Sequence, residues 1–105
     1  MPVNGRKVIA RVYRDRDLVF IRLLAQKLTR LELNVVAMLG AVLGQVSLVF
    51  AQSKGMPFDM GAQLKETLEK LGGRGGGSKD MAQGGASKAE GLEAALDELA
   101  GKLRA

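Results

Sequence analysis

The sequence predicts an α/β (α+β) fold: a single domain in which a mixed β-sheet is packed with about three helices, in the order β-α-β-β-α-β(short)-α. Three observations lead to this prediction. The chain has 105 residues, enough for one domain and too few for two. Hydrophobic residues make up 47% of it and charged residues 26%, which is the composition of a globular protein. Short apolar runs typical of strands are separated by stretches in which apolar residues recur every three or four positions, as in helices that pack on a sheet.

The first half of the chain contains three predicted strands and one predicted helix. Residues 8–13 alternate between apolar and other side chains, which predicts a half-buried strand. Residues 16–31 carry an apolar stripe and predict an amphipathic helix. Residues 35–39 are apolar throughout, as is typical of a strand buried on both faces. Residues 46–51 predict a further strand that pairs with it as a hairpin, across a turn over residues 40–45.

The second half contains two predicted helices on either side of a glycine-rich segment. Asp59 is the predicted N-cap of a helix that ends at Gly72, where a left-handed residue is favoured. In residues 72–85, seven of the fourteen residues are glycine, and residues 80–83 are predicted to form a short strand between two glycine clusters. Ser87 is predicted to begin the last helix, because the sequence S-K-A-E matches a capping box.

The chain shows no internal repeat and no domain boundary, so we expect residues 1–105 to form one domain, with residues 1–6 flexible or remaining from cloning. No apolar run approaches the ~20 residues that a membrane span needs, and the N-terminus lacks the apolar region of a signal peptide. We therefore expect a cytoplasmic protein without a membrane partner.

The absence of two residue types excludes most catalytic chemistry. The chain has no cysteine and no histidine. Disulfides, thiolate metal sites and catalysis by Ser-His-Asp or Cys-His groups are therefore excluded. Only carboxylate, lysine, tyrosine or hydroxyl chemistry remains, so we expect no enzymatic activity from this chain, no catalytic or metal-ligating residue and no cofactor.

The net charge of +5 is concentrated in the N-terminal third. Residues 1–32 hold eight basic and three acidic side chains, whereas residues 33–105 hold eight of each. The basic residues of the first group are Arg6, Lys7, Arg11, Arg14, Arg16, Arg22, Lys27 and Arg30. A basic face of this kind attracts phosphate backbones or acidic lipid. It is also typical of a solvated helix face without a partner, which charge alone slightly favours while leaving both interpretations open.

The glycine-rich segment allows two interpretations. One is a flexible linker, although a disordered stretch of this length inside a compact domain is unusual. The other is an anion-binding loop, because successive glycines let backbone N–H groups point at one ligand and let a phosphate approach the main chain. The segment is neither a Walker P-loop nor a Rossmann fingerprint. The residues alone therefore leave a phosphate cradle and a structural glycine turn equally open.

The motif itself resembles a known family signature. The run Gly72-Gly73-Arg74-Gly75-Gly76-Gly77, followed by Asp80-Met81-Ala82-Gln83 and Gly84-Gly85, is similar to the DHH-associated domain. It most resembles the version at the C-terminus of alanyl-tRNA synthetases, G-G-[KR]-G-G-G-R-P-D-[MF]-A-Q-x-G-G. The resemblance covers the chain from about residue 18 to its end. This sequence departs from the pattern at Ser78-Lys79, where the family has Arg-Pro, and at Ala86, where a variant has glycine.

The resemblance implies a nucleic-acid-binding module that assists aminoacylation and editing without catalysing either. Its implied partners are alanine tRNA, bound at the elbow where the D- and T-loops meet, and the rest of a synthetase chain. The expected binding residues, on a glycine-rich binding loop over residues 72–85, are Gly72, Gly73, Arg74, Gly75, Gly76, Gly77, Ser78, Lys79, Gln83, Gly84 and Gly85. If they lie on the same face, Arg14, Arg16 and Arg22 would extend the site electrostatically.

Two alternatives remain at the level of sequence. The chain could be a structural module that forms a homodimer through its C-terminal helix or an exposed sheet edge. It could also be the substrate-binding half of a DHH-type phosphoesterase, although Ser78 stands where that branch has histidine. Aromatic stacking is expected to be weak: Phe20 and Phe50 are predicted core residues, and only Tyr13 and Phe58 are candidate platforms. Binding should therefore depend mostly on charge and weaken with salt.

Overall fold

The computed structural model describes residues 7–104, in which three helices pack on a five-stranded sheet. The elements are β1 (Lys7–Tyr13), α1 (Leu18–Leu31), β2 (Val35–Leu43), β3 (Gln45–Gln52), α2 (Met60–Lys70), β4 (Arg74–Gly77), β5 (Met81–Ala86) and α3 (Leu92–Arg104). The strand order is β1-β2-β3-β5-β4; β1 and β2 are parallel, and all other neighbours are antiparallel. The predicted fold class, a mixed sheet with three helices, is confirmed. The expectation that residues 1–6 are flexible or remain from cloning lies outside the described residues.

The helices cover the sheet on both faces. On one face, α1 packs over β2 and β3 through Ile21 and Ala25. On the other face, α2 and α3 bury their apolar stripes, which include Leu68 and Leu96, against the sheet. The inner strand β2 is therefore enclosed from both sides, which explains why residues 35–39 are apolar without alternation. None of the helices described for residues 7–104 is long and apolar enough to cross a membrane.

The predicted β2–β3 hairpin is present, but its turn is shorter than expected. Strand β2 continues to Leu43, and Gly44 alone makes the turn, with φ +78°. Gly40 lies inside the strand, where a Cβ would meet Leu48 at 3.2 Å and Leu92 at 3.5 Å. The prediction of a turn over residues 40–45 was therefore wrong. Gly40 is needed because a larger residue would crowd Leu48 and Leu92, and it does not reverse the chain.

The two C-terminal helices differ in how well their starts could be predicted. Asp59 caps α2 as predicted, its Oδ1 accepting the N–H of Ala62 at 3.1 Å. The capping-box prediction at Ser87 is wrong, because α3 begins at Leu92 after a turn that contains Gly91. Gly91 has φ +82°, a left-handed conformation that cannot continue a right-handed helix.

The glycine-rich segment is a β-hairpin rather than a loop with one short strand. β4 and β5 pair in antiparallel register, with Arg74 opposite Gly85 and Gly77 opposite Ala82. β5 also pairs with β3, so the hairpin extends the sheet and β4 is its edge strand. Both ends of the hairpin are thereby tied to the core, and the linker interpretation is excluded.

Candidate nucleic-acid interface

The hairpin formed by β4, the turn over residues 78–80 and β5, called the glycine hairpin below, has two different faces. Alternate residues of a strand point to opposite sides of the sheet. Ala82 and Ala86 point toward α2 and α3. Gly84, which lies between them on the same face of β5, and Gly75 and Gly77, which pair with Gly84 and Ala82, belong to this face as well. Met81 points to the side of the sheet that carries α1. The glycines are therefore divided between a face covered by α2 and α3 and a face on the α1 side, where α1 itself packs mainly over β2 and β3.

Close packing on the covered face explains why most of these positions are glycine. A Cβ on Gly75 would lie 2.7 Å from Leu68 Cδ1 and 2.5 Å from the Cα of Gly84. A Cβ on Gly84 would lie 2.5 Å from the same Leu68 atom. Gly77 and Gly73 are similarly closed off by the backbone and methyl groups of the opposite strand. Gly75 and Gly84 thus let α2 lie directly on the hairpin, and Gly73 and Gly77 let its two strands approach each other, so we assign all four a structural role.

The other face carries Arg74, Gly76, Gln83 and Gly85, and we call these four residues the open face. A Cβ on Gly76 would have no atom within 4 Å, and one on Gly85 would meet only the carbonyl of Val46, at 3.0 Å. Arg74 pairs with Gly85 and Gly76 pairs with Gln83, so the four residues form one contiguous patch. Backbone on this patch can be approached closely by a ligand, with an arginine and an amide side chain beside it.

The turn at residues 78–80 is held by hydrogen bonds to the core. The carbonyls of Lys79 and Ser78 accept the N–H groups of Met60, at 2.7 Å, and Gly61, at 3.0 Å. The first N–H groups of α2 are thus already bonded within the chain. The hydroxyl of Ser78 donates to the carbonyl of Met81 at 3.2 Å. Ser78 therefore stabilises the turn, whereas Lys79 is exposed and forms no ion pair with any residue between 7 and 104.

Gln52, which the sequence analysis did not single out, is the buried residue that fixes this turn. Its side-chain Nε2 donates to the carbonyl of Phe58 at 2.7 Å, the carbonyl of Lys79 at 3.1 Å and Oδ1 of Asp80 at 2.9 Å. It is only 3% exposed, and its Oε1 has no hydrogen-bond partner in the described part of the chain. The one available signal was a polar residue at the end of a strongly apolar strand.

The three arginines proposed to extend the site do not lie together. Arg14 forms an ion pair with Glu93 of α3, next to β1. Arg16 lies over the ring of Phe20, 4.9 Å from its centroid, and Phe20 in turn contacts Tyr13 of β1. Because β1 and β4 are opposite edges of the sheet, both arginines belong to the side away from the glycine hairpin. The condition under which Arg14 and Arg16 would extend the site, a shared face with the hairpin, is therefore not met.

Arg22 lies on the side of α1 that faces the hairpin. Residues four and seven positions further along, Gln26 and Thr29, line a cavity shared with Asp80 and Met81 of the hairpin. Residues at these spacings occupy the same side of a helix. α1 contains no acidic residue between Leu18 and Leu31, so its basic side chains are not neutralised within the helix.

Two cavities lie at the two ends of the hairpin. One, of about 440 Å³, is lined by Gln26, Thr29, Arg30, Leu33, Ala51, Gln52, Lys54, Asp80 and Met81, and we call it the α1 cavity. The other, of about 340 Å³, is lined by Gln45, Gly72, Gly73, Arg74, Gly85, Ala86 and Ser87. Both have basic side chains in their walls. No group of three acidic side chains suited to a metal ion occurs within residues 7–104.

The aromatic residues contribute little to this surface. Phe50 is buried as predicted, but the prediction of a core position for Phe20 is wrong, because it is 36% exposed. Tyr13 and Phe58 are half-buried, Tyr13 against the α1 side of the core and Phe58 against the α2 and α3 side. A ligand on the open face would thus meet backbone, Arg74 and Gln83 rather than an aromatic platform.

Comparison with known proteins gives one family and a consistent set of relatives. The family model of the DHHA1 domain matches residues 5–105. The alanine–tRNA ligase of Myxococcus xanthus is 36% identical over 101 residues, and that of Desulfosudis oleivorans is 36% identical over 99 residues. These alignments cover 92% and 91% of this chain and 11% of each ligase, so the chain spans about a tenth of the length of these relatives.

A solved structure has the same fold. The C-Ala domain from Aquifex aeolicus alanyl-tRNA synthetase superposes with a TM-score of 0.87. The match covers 100% of this chain and 97% of that one, at 22% sequence identity. At this identity the similarity establishes the fold.

Proposed function

We propose, because this chain belongs to the DHHA1 domain family, that it is a nucleic-acid-binding module: the C-terminal tRNA-binding domain of an alanyl-tRNA synthetase. It would contact the elbow of alanine tRNA and assist aminoacylation and editing without catalysing either. Its covalent partner would be the rest of the synthetase chain, and its place of action the cytoplasm.

The observation that carries this proposal is the open face of the glycine hairpin. Folded RNA is recognised mainly by shape, through contacts to phosphates and 2′-hydroxyls. A face lined by Gly76 and Gly85 lets RNA backbone approach the protein main chain without side-chain bulk. Arg74 and Lys79 would bind phosphates, and Gln83 would donate to or accept from ribose or a base edge.

The charge distribution supports the same assignment. Arg22 and Arg30 lie on α1 beside the hairpin, and Lys54 lines the α1 cavity with Arg30. Because the open face carries no aromatic residue, most of the affinity would come from phosphate contacts and counterion release. Binding should accordingly fall steeply as salt is raised.

A matched pair of variants tests the site. Arg74→Gln with Lys79→Gln should weaken binding to alanine tRNA and reduce the slope of log K against log salt by about 1.4–1.8, since each phosphate contact contributes roughly 0.7–0.9. Lys65→Gln with Lys102→Gln removes the same charge from α2 and α3. This control pair should leave most of the slope intact. Equal effects of the two pairs would refute the site, because they would indicate a response to net charge alone.

A homodimer is the second candidate, because β4 is an exposed edge strand that a second copy could extend. Sedimentation at increasing protein concentration tests it. A monomer at all concentrations would exclude this role for the chain.

A further inference from the structure

We propose that the α1 cavity binds a single unstacked guanine nucleotide of the bound RNA, with its phosphate at Arg30 and Lys54 and its base edge at Asp80. This inference rests on the proposed function and adds a base-specific subsite to it. The cavity draws on three separate segments, α1, the end of β3 and the hairpin turn. Its volume of about 440 Å³ lies within the roughly 300–1,000 Å³ typical of small-molecule sites.

The walls of the cavity divide into two kinds of surface. Ala51, Met81 and Leu33 provide apolar contact. Arg30 and Lys54 provide positive charge, and neither forms an ion pair within the described residues. An apolar surface beside two cations matches a nucleotide, which has a flat base and a phosphate.

Two of the side chains that line the cavity, Asp80 and Gln52, carry acceptor oxygens. The carboxylate of Asp80 accepts from Gln52 Nε2 through Oδ1 only, as far as the hydrogen bonds of residues 7–104 show. Gln52 Oε1 is buried without a hydrogen-bond partner among residues 7–104, and an unsatisfied buried acceptor of this kind is costly. A ligand that brings N–H donors would find an acceptor in the exposed carboxylate of Asp80.

The donor pattern favours guanine. Its Watson–Crick edge presents an imino N–H and an amino group side by side, which a carboxylate can accept together. Adenine presents only an amino donor beside an acceptor nitrogen, which a carboxylate repels. The negative charge of Asp80 also excludes phosphate from that end of the cavity, so the phosphate is assigned to Arg30 and Lys54.

The position of the cavity suits an RNA that lies on the open face. From Gly85 to Met81 the strand β5 advances four residues, or about 13 Å at roughly 3.3 Å per residue. An RNA strand in contact with Arg74 and Gln83 therefore reaches the α1 cavity within a few nucleotides. One unstacked nucleotide at that distance could enter the cavity while its neighbours stay on the glycine hairpin.

The first test uses free nucleotides, so that it does not depend on tRNA binding. The ¹⁵N-labelled protein is titrated with 5′-GMP, 5′-AMP and inorganic phosphate while backbone amide shifts are followed. We expect GMP to shift amides in residues 26–33, 51–54 and 80–81, with about fivefold or more preference over AMP, the lower end of what a bidentate contact contributes. Equal shifts with GMP and AMP, shifts with phosphate alone, or no shifts in these segments would overturn the proposal.

The second test asks whether the nucleotide comes from RNA. Asp80→Asn keeps an oxygen for Gln52 Nε2 but replaces one carboxylate oxygen with a donor, so we expect it to weaken tRNA binding about fivefold without changing the salt slope. Arg30→Gln should lower both affinity and slope, and Lys65→Gln on the opposite face of the sheet should lower neither appreciably. Thermal unfolding checks that each variant is folded.

The outcomes separate this inference from the proposed function. If the wild type binds tRNA and Asp80→Asn binds it equally well, the subsite is refuted while the tRNA-binding role stands. If GMP binds selectively but tRNA does not bind at all, the proposed function fails. The cavity would then be a site for a free guanine nucleotide, and the proposal that the nucleotide belongs to a bound RNA would be overturned.

Discussion

Replacing glycines on the two faces of the glycine hairpin should have opposite consequences. At Gly84, on the covered face, an added Cβ would lie 2.5 Å from Leu68 Cδ1, 2.6 Å from the carbonyl oxygen of Arg74 and 2.7 Å from the Cα of Gly75. Two of these three atoms belong to the backbone of β4. Leu68 is 1% exposed and cannot swing into solvent. Gly84→Ala therefore requires β4 and β5 to move apart.

The size of the effect follows from these contacts. Overpacking a core costs about 1–3 kcal/mol, and the involvement of strand backbone places Gly84→Ala at about 3 kcal/mol. For a domain of this size, 1 kcal/mol lowers the melting temperature by about 4–8 °C, so the expected decrease is about 12–24 °C. Gly76→Ala adds a methyl group into open space at a position without positive φ. Its stability should stay within about 0.5–1 kcal/mol of the wild type, in the stabilising direction.

The assay combines thermal unfolding with tRNA titration of both variants. Gly76→Ala should fold as well as the wild type and bind tRNA more weakly, because its methyl group stands where RNA backbone would approach. Gly84→Ala should lose stability first, and any loss of binding should follow its unfolding. Equal melting temperatures for the two variants, or a stable Gly76→Ala protein with unchanged affinity, would refute the division of the hairpin into a packing face and a binding face.

Three further changes test how the hairpin is held. Leu68→Ala should lower the free energy of unfolding by about 2–5 kcal/mol and should make Gly84→Ala less destabilising, because the clash is removed. A double-mutant cycle by urea unfolding should therefore show a coupling of about 1 kcal/mol, and strict additivity would mean that the two side chains do not clash. Gln52→Leu removes two hydrogen bonds to the turn and one to the carbonyl of Phe58, and it should cost about 1–3 kcal/mol, with faster amide exchange in residues 78–81; unchanged exchange would show that other contacts hold the turn. Asp59→Ala removes the α2 N-cap and should cost about 1 kcal/mol in thermal unfolding, and a change below a few tenths would argue against the cap.

The elements with side-chain patterns could be predicted, and the reason is visible in the packing. The amphipathic stripes of all three helices are the surfaces buried against the sheet, and the uniformly apolar residues 35–39 form a strand with helices on both sides. Each of these patterns records burial directly. The family resemblance added the connection between the glycine motif and this fold.

Strand β4 could not be predicted, because strands are recognised by alternating side chains and β4 has almost none; of the glycine hairpin, only a short strand over residues 80–83, which overlaps β5, was expected. The pairing of β4 depends on contacts that are distant in sequence, such as Leu68 against Gly75 and Gly84. A local motif was also misleading at Ser87, where a capping-box sequence precedes a turn and the left-handed Gly91 decides where α3 starts. Local signals of this kind are ambiguous until the tertiary contacts are known.

The candidate site was predicted only in part. Arg74 and Gln83 were expected to act together and do share the open face, whereas Ser78 is engaged in the turn. The α1 cavity was missed because it joins three segments that are far apart in the chain, and Gln52 carries no motif that marks it. The side on which Arg14 and Arg16 lie could not be predicted, because charge runs do not reveal the strand order.

The most direct test of tRNA-elbow recognition is a binding titration against two RNAs at two salt concentrations. One is intact alanine tRNA, and the other is the same tRNA with the contact between its D- and T-loops removed. The proposed function predicts that binding of the intact tRNA weakens with salt and that the disrupted tRNA binds more weakly at both concentrations. Equal binding of the two RNAs would contradict it, because the basic surface would then attract RNA without recognising the elbow.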